Sequence, residues 1–329
     1  MTFIELDQVE KVFSVRRKTG LLRREKREVR AVDGISFGVA RGEMVGYIGP
    51  NGAGKSTTIK MLTGILTPSG GRLRVAGIDP SRERTRLAQR IGVVFGQRTT
   101  LWWDLPLKDS YRLMHRMYRI PDERYAENLA RCVELLELGD LLDVPVRQLS
   151  LGQRMRGDIA AALLHDPDVL YLDEPTIGLD VVSKARVREF LRELNTARGT
   201  TVLLTTHDLT DIEQLCDRVM VIDHGRLMYD GGLTGLHEAG GSERVLMVDL
   251  ERPLPPIDLP GARFLRAEGP RQWLAFPSSM SAAPLVAAVA ERYPLVDLSV
   301  REPDIEAVIA KMYGERGGQR ELEVRPESH

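Results

Sequence analysis

Gly49-Pro50-Asn51-Gly52-Ala53-Gly54-Lys55-Ser56-Thr57 is the stretch whose reading decides the fold. It matches the phosphate-binding pattern G-x-x-x-x-G-K-[ST]. Glu43 to Ile48, just ahead of it, reads as a short buried strand. Thr57 to Leu66, just behind it, reads as a helix with Ile59, Leu62 and Leu66 on one face. A strand, a glycine-rich loop and a helix, in that order, are the setting the pattern requires. The glycines let backbone N–H groups turn inward on a triphosphate, and the new helix presents its positive end. Lys55 is then placed to reach the β- and γ-phosphates, and the Ser56 hydroxyl to ligate Mg²⁺. The plainer alternative is a glycine-rich turn that happens to carry a lysine.

Outward from this loop, other strands end in chemistry. Val169 to Leu172 is an apolar run that closes on Asp173-Glu174-Pro175. Two carboxylates at the end of a buried strand are costly unless they meet something positive. Asp173 suits the Mg²⁺ side, and Glu174 the water that attacks the γ-phosphate, which is the metal-bound acid and free base that in-line hydrolysis needs. Ile91 to Phe95 is a second buried strand, and it delivers Gly96-Gln97 to a loop. Gln97 there can complete Mg²⁺ coordination and sense the attacking water, although a surface position is the default for glutamine. Thr201 to Thr206 is a third, ending at His207-Asp208. A lone histidine is more often structural, but the carboxyl end of a parallel strand is where ligands bind in this fold type.

Between these strands, Gln148 to Arg154 leads into a helix from Met155 to His165, with Ser150 as its N-cap. Gly178-Leu179-Asp180 forms a loop before a helix from Val182 to Ala197. A helix from Leu209 to Cys216 and a hairpin of Arg218 to Asp223 and Arg226 to Asp230 close a first domain. From Arg98 to Gln148 the pattern is helical. One helix, Lys108 to Ile120, carries Leu113, Met114, Met117 and Tyr118 as its apolar stripe; a second, Arg124 to Leu138, carries Ala126, Leu129, Val133 and Leu136. Trp102-Trp103 either caps this insert or lines a contact surface for another protein.

At the amino end, residues 2–15 alternate as a strand, and Phe13 is either a core aromatic or a platform for an adenine ring. Residues 16–30 hold eight basic and two acidic side chains. A solvated hairpin is the plain reading of that charge run, attraction to an anionic membrane surface the sharper one, and nucleic-acid binding the third.

The 46 basic and 47 acidic residues leave a net charge of −1, so no global field points toward nucleic acid. Cys132 and Cys216 are far apart and in no metal-ligand spacing, which suits a reducing compartment. The first residues alternate like a strand rather than a signal peptide, and no apolar run approaches the ~20 residues needed to cross a bilayer. A membrane role is therefore expected to come through a partner.

Taken together, Gly49 to Thr57, Gln97, Leu149 to Gln153, Leu172 to Pro175, Leu179-Asp180 and His207 closely resemble the ATPase subunit of an ATP-binding cassette (ABC) transporter. The resemblance covers residues 1–238. It implies an α/β P-loop NTPase core with an antiparallel β subdomain and a helical subdomain at about 98–165. It implies ATP and Mg²⁺ as cofactors, with Ser56, Gln97 and Asp173 around the metal, Glu174 as catalytic base and His207 on the γ-phosphate. Phe13 would stack on adenine. Ser150, Gly152 and Gln153 would form the signature that reaches an opposing subunit's ATP, and Asp180 would contact that subunit. Leu151 stands where the family usually has glycine, and would be strained by ~1–2 kcal/mol if that position required φ > 0. The implied assembly is a homodimer, or a pair with a close paralogue, clamped across two ATP. It would sit on integral membrane permease subunits at the cytoplasmic face of the cell membrane, without nucleic acid.

Residues 239–314 read as a small α+β accessory domain. Strands are expected at Val245 to Leu250, Arg263 to Ala267, Gln272 to Phe276 and Val296 to Val300, and helices at Ser281 to Tyr293 and Asp304 to Tyr313. Glu302-Pro303-Asp304-Ile305-Glu306 is similar to a helix entry found on ATPases of type 2 exporters, and residues 315–329 have the composition of a disordered tail. A soluble cassette ATPase of nucleic-acid or ribosome metabolism is the alternative. Those of DNA repair carry long heptad arms, and those of the ribosome usually carry two cassettes; this chain has neither a sustained heptad repeat nor a second phosphate loop.

Overall fold

The computed structural model describes residues 2–18, 24–96, 98–206, 208–239, 243–301, 308, 309, 311 and 312, with side chains except at 15–18, 24–27 and 237–239. Alternating apolar residues pair β1 (Thr2–Lys18) with β2 (Arg24–Ala40) antiparallel. The inward face passes from Ile4 and Leu6 to Val9, and the register shifts between Leu6 and Val9, where Gln8 has φ 50°. That is the signature of a bulge, which changes the phase of a strand without ending it. β3 (Met44–Ile48) is buried over its whole length, as a central parallel strand must be. It feeds the phosphate loop and α1 (Lys55–Leu62). β4 (Gly70–Val75) returns to the other edge of β1, giving a three-stranded antiparallel sheet in the order β2-β1-β4.

α2 (Arg84–Ala88) and β5 (Ile91–Phe95) precede the helical part, which contains α3 (Leu107–Tyr118), α4 (Asp122–Leu135) and α5 (Leu151–Leu163). Then come β6 (Val169–Asp173), α6 (Val181–Arg198), β7 (Thr201–Thr205), α7 (Leu209–Leu215), β8 (Arg218–Asp223) and β9 (Arg226–Gly232). The second sheet runs β5-β6-β7-β3-β8-β9, and its neighbours from β5 to β8 pair parallel. Parallel pairing brings the carboxyl ends of β3, β5, β6 and β7 to one edge. Tyr47, Ile59, Met61 and Leu62 join Tyr171, Leu203, Met220 and the inner face of the antiparallel sheet in one core.

The helical part departs from its expected phase. α3 buries Leu107, Tyr111 and Met114, whereas Leu113 and Met117 are 39% and 66% exposed. The Tyr111 hydroxyl donates to the Gly157 carbonyl of α5 at 3.1 Å, and Leu107 lies beside the same glycine, so a small residue on the partner helix chose the face. Ala126 of α4 is exposed as well; α4 instead buries Asn128, whose amide donates to the Leu164 carbonyl at 3.0 Å.

By internal contacts the chain divides into Met1–Asp230 and Gly231–His329. The second unit holds α8 (Leu233–Ala239), β10 (Glu243–Leu250), β11 (Arg263–Glu268), β12 (Arg271–Pro277), α9 (Ala283–Arg292) and β13 (Leu295–Arg301). Its antiparallel sheet is ordered β11-β12-β10-β13, over a core of Leu246, Val248, Leu274, Phe276, Leu285 and Val289. Gln272 is fully buried and tethers the proline-rich connection. Its amide oxygen accepts from the Ile257 N–H, and its NH₂ donates to the carbonyls of Leu254 and Pro255. The Glu302-to-Glu306 motif and residues 315–329 lie outside the described residues, as does most of the helix expected at Asp304 to Tyr313. Among the described residues, no helix is long and apolar enough to cross a membrane.

Candidate nucleotide site

The loop from Gly49 to Gly54 turns directly from β3 into α1. Gly54 caps α1 at φ 109°, and a Cβ there would lie 2.5 Å from the Ala31 carbonyl oxygen of β2. Only glycine meets both conditions. The Lys55 Nζ donates back to the carbonyl oxygens of Gly49 (2.6 Å) and Pro50 (3.1 Å), across the mouth of the loop. Burial pulls the Lys55 pKa down, while the carboxylates of Glu174 and Asp173 oppose that shift. An ammonium that is partly stripped of water gains most from a dense negative charge. Pro50, Asn51, Gly52 and Ala53 complete the rim, and Thr57 continues the first turn of α1.

Asp173, the last residue of β6, is held from two sides. The Ser56 hydroxyl donates to its Oδ2 at 3.1 Å, and the Thr205 hydroxyl to its Oδ1 at 2.6 Å. Two adjacent oxygens that both ligate one Mg²⁺ at ~2.1 Å in an octahedron stand about 3.0 Å apart, so the Ser56–Asp173 pair, at 3.1 Å, fits that ion as it stands. Thr205 escaped the sequence reading. The signal was present: consecutive hydroxyls, Thr205-Thr206, close a strand whose other positions are buried.

Glu174 follows with φ 59°, a left-handed conformation that disfavours a side chain. Its N–H donates to the Thr205 carbonyl at 2.9 Å, and the side chain is half-buried. Such backbone strain persists where the surroundings over-determine it, and it concentrates at functional sites. On the far side, the Gly96 N–H donates to the Asp173 carbonyl at 2.7 Å, and a Cβ on Gly96 would meet the Glu174 carbonyl oxygen at 2.1 Å. Gln97 and His207 themselves lie outside the described residues. Their described neighbours are Gly96, against Asp173 and Glu174, and Thr206, whose hydroxyl accepts the Asp208 N–H at 3.0 Å.

Ser150 caps α5 in a reciprocal box: its hydroxyl accepts the Gln153 N–H, and the Gln153 side chain accepts the Ser150 N–H. Leu151 is the first residue of α5 and has no positive φ, so the strain considered for it does not arise. Its side chain lies over Gly178: a Cβ there would be 2.5 Å from the leucine Cδ2. Gly152 neighbours Leu179 and Ser183. Asp180 caps α6, accepting from the N–H and hydroxyl of Ser183 at 2.9 and 2.8 Å; these bonds hold its carboxyl below the usual range. Ser150, Gly152, Gln153 and Asp180 thus form a second patch. Among the described contacts, none joins it to the phosphate loop of the same chain.

Phe13 lies on β1 opposite Val29, two residues before the Ala31 carbonyl that abuts Gly54, with the Lys11 ammonium 5.3 Å from its ring centre. Trp102 and Trp103 are 37% and 50% exposed, and the guanidinium of Arg154, next to Gln153, covers the Trp103 ring. The side chains of most of the basic run at 16–30 lie outside the description. Cys132 and Cys216 are buried free thiols, each pushed up to about 12 by burial.

Comparison with known proteins gives a consistent result. The ABC transporter family model matches residues 32–177. The daunorubicin resistance ATP-binding protein DrrA3 of Streptomyces coeruleorubidus is 42% identical over 229 residues, 68% of this chain and 71% of that protein. The Nod factor export ATP-binding protein I of Ralstonia nicotianae is 40% identical over 210 residues, 64% of this chain and 65% of that protein. Among solved structures, a dimeric post-hydrolysis state of the ATP-binding cassette MJ0796, bound to ADP and Pi, superposes with a TM-score of 0.61 at 26% identity, over 70% of this chain and 98% of that one.

Proposed function

The chain belongs to the family of ABC transporter ATP-binding proteins, and from that membership we propose how its residues divide the work. It is an ATPase that energises an exporter. Residues 1–238 form the nucleotide-binding cassette, with 98–165 as its helical subdomain, and 239–314 an accessory domain. The phosphate loop from Gly49 to Thr57 wraps the β- and γ-phosphates of ATP, Lys55 neutralises them, and Phe13 meets the adenine. Ser56 and Asp173, with Gln97, would hold Mg²⁺, which when bound neutralises charge between the β- and γ-oxygens. Glu174 accepts the proton of the attacking water, and His207 holds the γ-phosphate. The second patch serves the opposite subunit: Ser150, Gly152 and Gln153 of one copy complete the ATP held by the other, and Asp180 crosses the same interface. Two copies, or one copy and a close paralogue, thus close on two ATP and open after hydrolysis, moving permease subunits from the cytoplasmic face of the membrane.

One observation supports this reading above the rest: Asp173 lies in hydrogen-bond contact with Ser56 of the phosphate loop, and Glu174 follows it in a strained conformation that β7 secures. The test is phosphate release by the purified chain with MgATP, wild type against Glu174→Gln. The variant is expected to turn over ~10²–10⁴-fold more slowly and to accumulate ATP-dependent dimers in light scattering. Equal turnover by both proteins refutes the base assignment. Co-purification of a tagged chain with integral membrane subunits tests the partners.

A further inference from the structure

Asp211 stands in the first turn of α7, four residues past position 207, and its side chain is fully buried. Its carboxylate gathers three segments that are distant in sequence. Oδ2 accepts from the hydroxyl of Thr176, two residues beyond Glu174. The same oxygen accepts from the hydroxyl of Thr206, at 3.4 Å, where β7 has just ended. Oδ1 accepts from the guanidinium of Arg188, on the helix that Asp180 caps. Arg188 also donates to the Gln214 side chain at 3.1 Å, which anchors the pair within α7. A carboxylate with no exposure to water is tolerable only when it is paired and hydrogen-bonded, and the arginine and two hydroxyls supply that.

From this convergence we infer that Asp211 is a positioning residue for hydrolysis, acting through Thr176 on the segment that carries Glu174; the inference rests on the reading of Glu174 as base. Glu174 occupies a left-handed conformation that relaxes unless it is held at both ends. Its N–H is secured by the Thr205 carbonyl. On the carboxyl side, the Ile177 N–H donates to the Glu174 carbonyl at 3.3 Å, and the Thr176 hydroxyl on Asp211 adds the side-chain restraint. The same carboxylate fixes the exit of β7 and the helix behind Asp180. Base, strand exit and interface helix are thereby referred to one buried charge.

Thr176→Val removes the hydroxyl and keeps the side chain's shape, while Arg188 and Thr206 remain on Asp211. The expected result is kcat lowered about tenfold by loss of placement, with KM and the affinity for a fluorescent ATP analogue within about twofold of wild type. Thr176→Ser retains the hydroxyl and is expected to keep wild-type kcat. Asp211→Asn is expected to slow turnover at least as much, and the combination with Thr176→Val to be no slower than Asp211→Asn alone. Wild-type kcat in a folded Thr176→Val protein overturns the inference. So does a Thr176→Ser protein as slow as the valine variant, or a fall in melting temperature accompanied by equal losses in affinity and kcat. If Thr176→Val does not fold, Thr176→Ala against Thr176→Ser makes the same comparison. A wild-type chain with no more turnover than Glu174→Gln removes the base assignment itself, a different result from a normal wild type with an unaffected Thr176→Val.

Discussion

Replacing Gly96 with alanine puts a methyl carbon 2.1 Å from the Glu174 carbonyl oxygen and 3.0 Å from that of Asp173. Real Cβ atoms essentially never come closer than 3.0 Å, so the first contact falls short by about 0.9 Å. Both neighbours are backbone atoms and cannot rotate away. Gly96 has no positive φ, so alanine fits its backbone and the effect is purely steric. The ends of β5 and β6 must therefore separate by ~1 Å, straining the hydrogen bond from the Gly96 N–H to the Asp173 carbonyl. Overpacking of this kind costs about 1–3 kcal/mol of stability. A ~1 Å misplacement of a catalytic group costs about 10²-fold in rate. The expected outcome is kcat for phosphate release down ~10²-fold, with the melting temperature lowered by a few degrees and nucleotide affinity at the loop little changed. A folded Gly96→Ala protein with wild-type kcat would refute the claim that this contact places Glu174.

Lys55→Ala should lose most ATP affinity, measured with a fluorescent nucleotide, because the loop then offers backbone N–H groups without a cation. Ser150→Ala breaks the capping box and should lower stability by ~1 kcal/mol, read as a shifted chemical-denaturation midpoint; an unchanged midpoint would mean that the box adds nothing. Deleting residues 239–329 should leave nucleotide binding intact, and its loss would place the domain boundary elsewhere.

Much of the site was legible because its parts are short and contiguous. The loop from Gly49 to Thr57, the acids after Leu172 and the cap at Ser150 each depend on spacing within a few residues, where covalent geometry restricts the outcome. The apolar stripe on α3 was misread for the complementary reason. Leu113 and Met117 repeat at helical spacing as convincingly as Leu107 and Tyr111, and the choice between the faces was made by Gly157 on another helix. Leu151 raised a question of backbone conformation that the helix start at Ser150 answers, since a residue just inside a helix has no need of positive φ.

Local pattern alone therefore located a phosphate loop, two adjacent carboxylates at the end of a buried strand and a capped helix with a polar entry. Tertiary structure decided which groups hold them. Thr205 reaches Asp173 because β6 and β7 are neighbours in the sheet, and Thr176 reaches Asp211 across 35 residues because α7 folds back on the segment after β6. Strand order and helix phase arise from the packing of the whole core, a collective quantity that no single window of residues contains.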